Sequence, residues 1–138
     1  MNKAIFTDTV TLYNYIKAGR EDVWTRTVLK GVQARTGLAE SSDSEGTAQQ
    51  SESLSLTIPL DVDSGGKPYA APETLTEVSW TLKADNGMDI VVMGECELMP
   101  GPELSIDELM QRTEAYTINS VRDNTRRRHL KHWKVGGY

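Results

Sequence analysis

Every second residue from Leu54 to Leu60 is aliphatic: Leu54, Leu56, Ile58 and Leu60, with Ser55 and Thr57 between the first three. A period of two puts such residues on one face of an extended strand, whereas a helical stripe repeats every ~3.6 residues. Pro59 falls on the opposite face and cannot donate to a ladder, so this strand is predicted to be an edge or to end there. The same alternation opens the chain. Val10, Leu12, Asn14 and Ile16 fall on one face of a first strand, with Thr11, Tyr13 and Tyr15 on the other. After a turn at Gly19-Arg20, the stretch from Val23 to Ala34 is predicted to hold Trp24, Arg26, Val28, Lys30, Val32 and Ala34 on a common side.

Asn86-Gly87 supplies the two positive φ angles of a type I′ turn, predicting a hairpin of Leu75–Lys83 with Asp89–Leu98. Gly94, inside the second arm, predicts a bulge or a close backbone approach. After Pro100-Gly101-Pro102, the run Ser105-Ile106-Asp107-Glu108 fits a capping box ahead of Leu109 and Met110, predicting a two-turn helix ending near Arg112. Strands at Tyr116–Val121 and Leu130–Val135 follow, joined through Asp123-Asn124-Thr125, and Gly136-Gly137 is expected to end the last one. The stretches 38–51 and 61–74 lack periodicity and read as long inserted loops. With no βαβ alternation, six or seven strands mostly in meander order predict an all-β fold. It is a mainly antiparallel small β-barrel or sandwich with one short helix, and residues 1–138 form a single domain.

Charge is distributed unevenly. From Arg122 to Tyr138 six Lys and Arg stand against Asp123 alone, a net of +5, so with −5 overall the other 121 residues carry −10. A basic end on an acidic body suits nucleic-acid contact, or a seam where identical subunits meet head to tail. The longest apolar run, Ile90–Met93, is far below the ~20 residues a membrane span requires. Asp8 interrupts before a signal-peptide core can form, so the chain is expected to be soluble, outside the membrane and in a reducing compartment.

Chemistry-bearing constellations are sparse. His129 and His132, three apart, would point to opposite faces of a strand, and Cys96 is the single thiol, so neither a zinc site nor a disulfide is expected. Cys96 reads as a small core hydrophobe. Asp85, Asp89, Glu95 and Glu97 flank or alternate along the Asn-Gly hairpin and read as a solvated face rather than a carboxylate site. The three tryptophans sit in strand pattern and read as core or rim packing. No nucleophile elbow, P-loop or dinucleotide fingerprint occurs, so neither an enzyme nor a cofactor is expected. Arg126-Arg127-Arg128 in the last turn reads either as a solvated turn or as an electrostatic clamp on an acidic neighbour or on DNA phosphates.

Several segments, taken in order, carry a resemblance. They are Val10–Asn14, Trp24 with Thr27–Val32, the strand ending Leu56-Thr57-Ile58-Pro59, Asn86–Gly94, Tyr116–Asn124 and Leu130–Gly137. Together they resemble the head–tail connector proteins of siphophages and prophages, of the head-completion or stopper type. The Arg126–Arg128 run departs from the more neutral turn usual in that group, as does the acidity of the long loop.

The resemblance implies a small β-barrel in a homo-oligomeric, sixfold ring in the virion neck, made in the host bacterial cytoplasm. Portal and adaptor proteins would lie above it and the tail terminator or tail tube below. Contact with genomic double-stranded DNA in the channel would be transient and non-specific. Glu40, Asp43 and Glu45 in the loop 38–52 are then the channel candidates, where carboxylates would repel phosphates and let the genome slide. Arg126, Arg127, Arg128, Lys131, Trp133 and Lys134 in the basic hairpin 114–138 are the candidates for contact with a subunit or neck partner. A tail terminator or minor tail protein of the same particle is the neighbouring alternative. From another class stands a nucleic-acid-binding β-barrel, weakened by the lack of a basic-aromatic strand face for stacking.

Overall fold

The structure is a computed structural model and describes residues 5–37, 54–84, 88–101, 103–126 and 128–138. Its strands are β1 (Asp8–Ala18), β2 (Glu21–Thr36), β3 (Leu54–Pro59), β4 (Ile90–Met93), β5 (Ala115–Asp123) and β6 (His132–Gly137), with a short helix α1 (Ile106–Arg112) before β5. All six pairings are antiparallel, and they close a barrel in the order β1-β2-β3-β6-β5-β4. The all-β expectation is met in its barrel form. Closure leaves none of these strands at an edge, so β3 lies between β2 and β6 rather than at a margin. Pro59 does end β3, and beyond it Leu60 turns outward at 49% exposure instead of continuing the stripe of Leu54, Leu56 and Ile58.

The barrel interior holds Val10, Leu12, Leu29, Val32, Leu54, Leu56, Ile58, Val91, Ile118 and Val135. The side expected to run from Trp24 to Ala34 is split. Between Thr9↔Lys30 and Asp8↔Val32 the register shifts by one residue, with Gly31 as the extra residue at φ 88°. This bulge moves Val32 and Ala34 onto the inward face of Leu29, while Trp24 joins an outer cluster. That cluster, with Tyr13, Ile90, Val92, Cys96 and Leu109, forms a second core between the sheet and the segment carrying α1. Both faces of β1 are therefore buried from Val10 to Asn14, and Cys96 is the small core residue its sequence context suggested.

The helix has the expected cap: Ser105 Oγ accepts from the Glu108 N–H at 3.1 Å, and the helix ends at Arg112. Gly94, at φ 81°, ends β4 and donates its N–H to Thr9 O. The chain then crosses back over β1, where Thr11 Oγ1 donates to Gly94 O and accepts from the Cys96 N–H.

One expected strand fails for a long-range reason, and one expected strand end is shifted. The run Leu75–Lys83 is not a strand; residues Trp80 and Leu82 pack into the inner core, and Thr81 is hydrogen-bonded by the Asn14 side chain instead of by a neighbouring strand. The Asn86-Gly87 turn lies outside the described residues. Gly136 and Gly137 do end β6, but as its last two residues, paired and buried at the closure of the barrel, rather than beyond a strand that stops at Val135. A Cβ on Gly137 would meet Thr117 O at 2.9 Å, closer than packed atoms tolerate.

Candidate functional site

The strand order places the β1–β2 hairpin and the β5–β6 hairpin on opposite sides of the barrel, with β3 between them on one flank and β4 on the other. The two seams differ in chemistry.

At the β5–β6 seam, the tip is built by short-range hydrogen bonds. Asp123 Oδ1 accepts from the N–H and hydroxyl of Thr125 at 2.8 and 2.6 Å, and these bonds hold its carboxyl below the usual range. Asn124 N–H donates to His132 O, and its side-chain amide lies 3.2 Å from His132 Nε2. His132 Nδ1 meets Leu130 O. A single neutral tautomer satisfies both: Nδ1–H donates and Nε2 accepts. Arg122, Arg126, Arg128, His129, Lys131 and Lys134 are exposed around this tip, and Lys134 Nζ reaches Thr57 Oγ1 at 3.3 Å.

Among these cations stands an apolar pair. Leu130 is 56% exposed and adopts φ 55°, a left-handed conformation that costs a branched residue about 1–2 kcal/mol. Leu60 is exposed next to it, and together with Asp61 and Lys131 they line a small cleft beside the tip of the hairpin. Sequence reading placed Leu130 in a strand, and no local signal marks its backbone.

At the β1–β2 seam a larger cleft of about 680 Å³ opens between Glu21–Trp24, Met88, Met99–Gly101 and Leu104–Ile106. Trp24, Pro100, Leu104 and Ile106 give it an apolar wall, and Met99 is 45% exposed. Glu21 and Asp22 stand exposed on its rim; Asp22 Oδ1 accepts from Tyr15 OH at 2.6 Å. Beneath it Tyr13 OH donates to Leu98 O at 2.6 Å, and burial pushes that phenol far above its ordinary range.

A model of a family of unknown function, DUF6751, matches residues 5–138. The chain belongs to this family. No curated protein and no solved structure matches it.

Several candidate residues of this DUF6751 member occupy places the sequence did not indicate. Trp133 is 4% exposed and is not a surface contact of the single chain: it stacks on Tyr69 at 4.7 Å and meets Trp80 edge-on at 5.3 Å, tying the hairpin to the core. Trp24 and Trp80 are buried as well, as core packing predicts. Arg127, Glu40, Asp43 and Glu45 lie outside the described residues.

The solvated carboxylate face holds only in part. Glu95 is exposed and pairs with Lys30 at 3.7 Å, and Glu97 is exposed, but Asp89 is fully buried. Its carboxylate accepts from Asn14 Nδ2 at 2.7 Å and from the Tyr15 N–H at 3.0 Å, with Lys83 Nζ at 3.9 Å. Such a buried charge is held by its partners and, with the Asn14–Thr81 bonds, ties Thr81 and Asp89 to β1. Asp85 lies outside the described residues. His129 is exposed and His132 half-buried. Among the described residues, three His, Cys, Asp or Glu side chains nowhere converge as a metal site, and no helix is long and apolar enough to cross a membrane.

Proposed function

We propose that this chain is a structural component of a tailed-phage neck: a ring-forming head–tail connector of the stopper or head-completion type. It joins the DNA-filled capsid to the tail and helps retain the genome. The observation that most supports this reading is the opposition of two unlike seams on one closed barrel. A monomer with a basic projection on one side and an acid-rimmed cleft on the other is suited to head-to-tail contact with its own copies, which closes into a ring when the rotation per copy allows. The likeness of the ordered motifs to connector proteins supplies the station in the particle.

The test is made in the producing phage or prophage. Charge reversal of Arg126, Arg127 and Arg128 to Glu is expected to yield filled heads and free tails, and a labelled chain is expected at the neck of intact particles. Normal virions from the reversal variant, together with a label away from the neck, would remove the proposal. A label at the top of detached tails would assign the chain to the tail-terminator layer instead.

A further inference from the structure

We infer that the β5–β6 tip of one copy seats in the β1–β2 cleft of the next, with Leu130 entering the apolar floor and the surrounding cations facing Glu21 and Asp22. The inference rests on the ring reading and names the contact by which copies join. Both halves are built features. Leu130 is an exposed aliphatic side chain held at φ 55° by a tip whose Asp123–Thr125 and Asn124–His132 bonds define the turn. A strained, outward-facing leucine among Arg126, Arg128 and Lys131 gains nothing from water, and strain of this kind concentrates where a ligand or partner is met. The cleft offers what that tip lacks: an apolar wall from Trp24, Leu104 and Ile106, and a carboxylate rim.

Charge and shape agree on the pairing. A second basic tip would repel the first, so a symmetric tip-to-tip contact is disfavoured, whereas tip-to-cleft places opposite signs together. Because the two seams lie on opposite sides of the barrel and no described residue of the β5–β6 hairpin lines the cleft, a copy does not fill its own cleft, and each copy keeps both surfaces open for neighbours. A hydrophobic anchor ringed by charge is the usual anatomy of a specific protein contact.

The experiment uses the full chain. Variants Leu130→Cys and Gly101→Cys, each adding one accessible thiol, are mixed and treated with a short bismaleimide; Gly101 lines the cleft and has open space for a side chain, while the native Cys96 is buried. The mixture is expected to give a cross-linked dimer that neither variant gives alone. Sedimentation supplies the second arm. Arg126→Glu and Glu21→Lys are each expected to weaken self-association roughly tenfold, and an equal mixture of the two is expected to recover part of the loss, because each then offers the sign the other lacks. Leu130→Ser is expected to weaken it by about tenfold or more without unfolding the chain. Rings that form without the Leu130–Gly101 cross-link would overturn this contact while leaving the connector reading intact. Cross-linking of Leu130→Cys with itself as efficiently as with Gly101→Cys would also overturn it. A chain that stays monomeric at every concentration would overturn the contact outright, and the neck-labelling experiment would then decide the connector reading separately.

Discussion

Asn14 and Thr81 are joined by two hydrogen bonds: the Asn14 amide donates to Thr81 O at 2.9 Å and its oxygen accepts from the Thr81 N–H at 3.1 Å. One side chain thus does for residue 81 what a neighbouring strand does elsewhere, and the same amide also donates to the buried carboxylate of Asp89. Asn14→Ala is expected to leave the Thr81 backbone groups and part of the Asp89 carboxylate without partners. The cost should be about 3 kcal/mol, read as a lower urea midpoint. Asn14→Asp should be at least as harmful, since it sets a second carboxylate against Asp89. A variant of unchanged midpoint would mean residue 81 is held by packing alone.

Gly137 closes the barrel against β5. Because a Cβ there would sit 2.9 Å from Thr117 O and 3.3 Å from Tyr116 Cβ, Gly137→Ala is expected to cost about 2 kcal/mol. Gly101→Ala, which meets nothing within 4 Å, should leave the melting temperature nearly unchanged. Equal melting of the two variants would count against the closure described.

Leu130 predicts a trade between stability and association. Asn tolerates the left-handed region better than a branched side chain, so Leu130→Asn is expected to raise stability by about 0.5–1 kcal/mol. The same change should weaken self-association. A variant both less stable and equally associated would show that the strain serves the fold of the hairpin rather than a contact.

Alkaline pH tests the outer core. Burial raises the Tyr13 phenol above its ordinary value of 10.0, so the folded chain holds that proton more tightly than the unfolded one. The contribution is fully present below pH 10 and is lost as pH rises toward the folded value. Tyr13→Phe is expected to remove part of the alkaline slope of the unfolding free energy, at the cost of the bond to Leu98 O. An identical slope in both proteins would contradict the burial of the phenol.

The acidic stretch predicts a separation of assembly from retention. Deleting Ser41–Gln50, which removes Asp43 and Glu45, is expected to leave rings that assemble and particles that lose DNA on storage. Nuclease sensitivity of packaged genomes checks it, and unaltered retention would deny the stretch a channel role.

Local chemistry was enough to reveal the β class, the capped helix at Ile106–Arg112, the end of β3 at Pro59 and the burial of Cys96. Each depends on a short-range rule: a period of two, a side-chain cap, a missing N–H. The basic tail was legible as charge, but Leu130 and the acid-rimmed cleft were not, because exposure and a left-handed φ are set by what surrounds a residue. The bulge at Gly31, the burial of Asp89 and the entry of residues 80–82 into the barrel came from pairings between distant parts of the chain. Tertiary structure alone decided which partner each strand took, and hence that the two charged seams lie on opposite sides of the barrel. Alternation states that a strand has two faces; only closure of the sheet determines what each face meets.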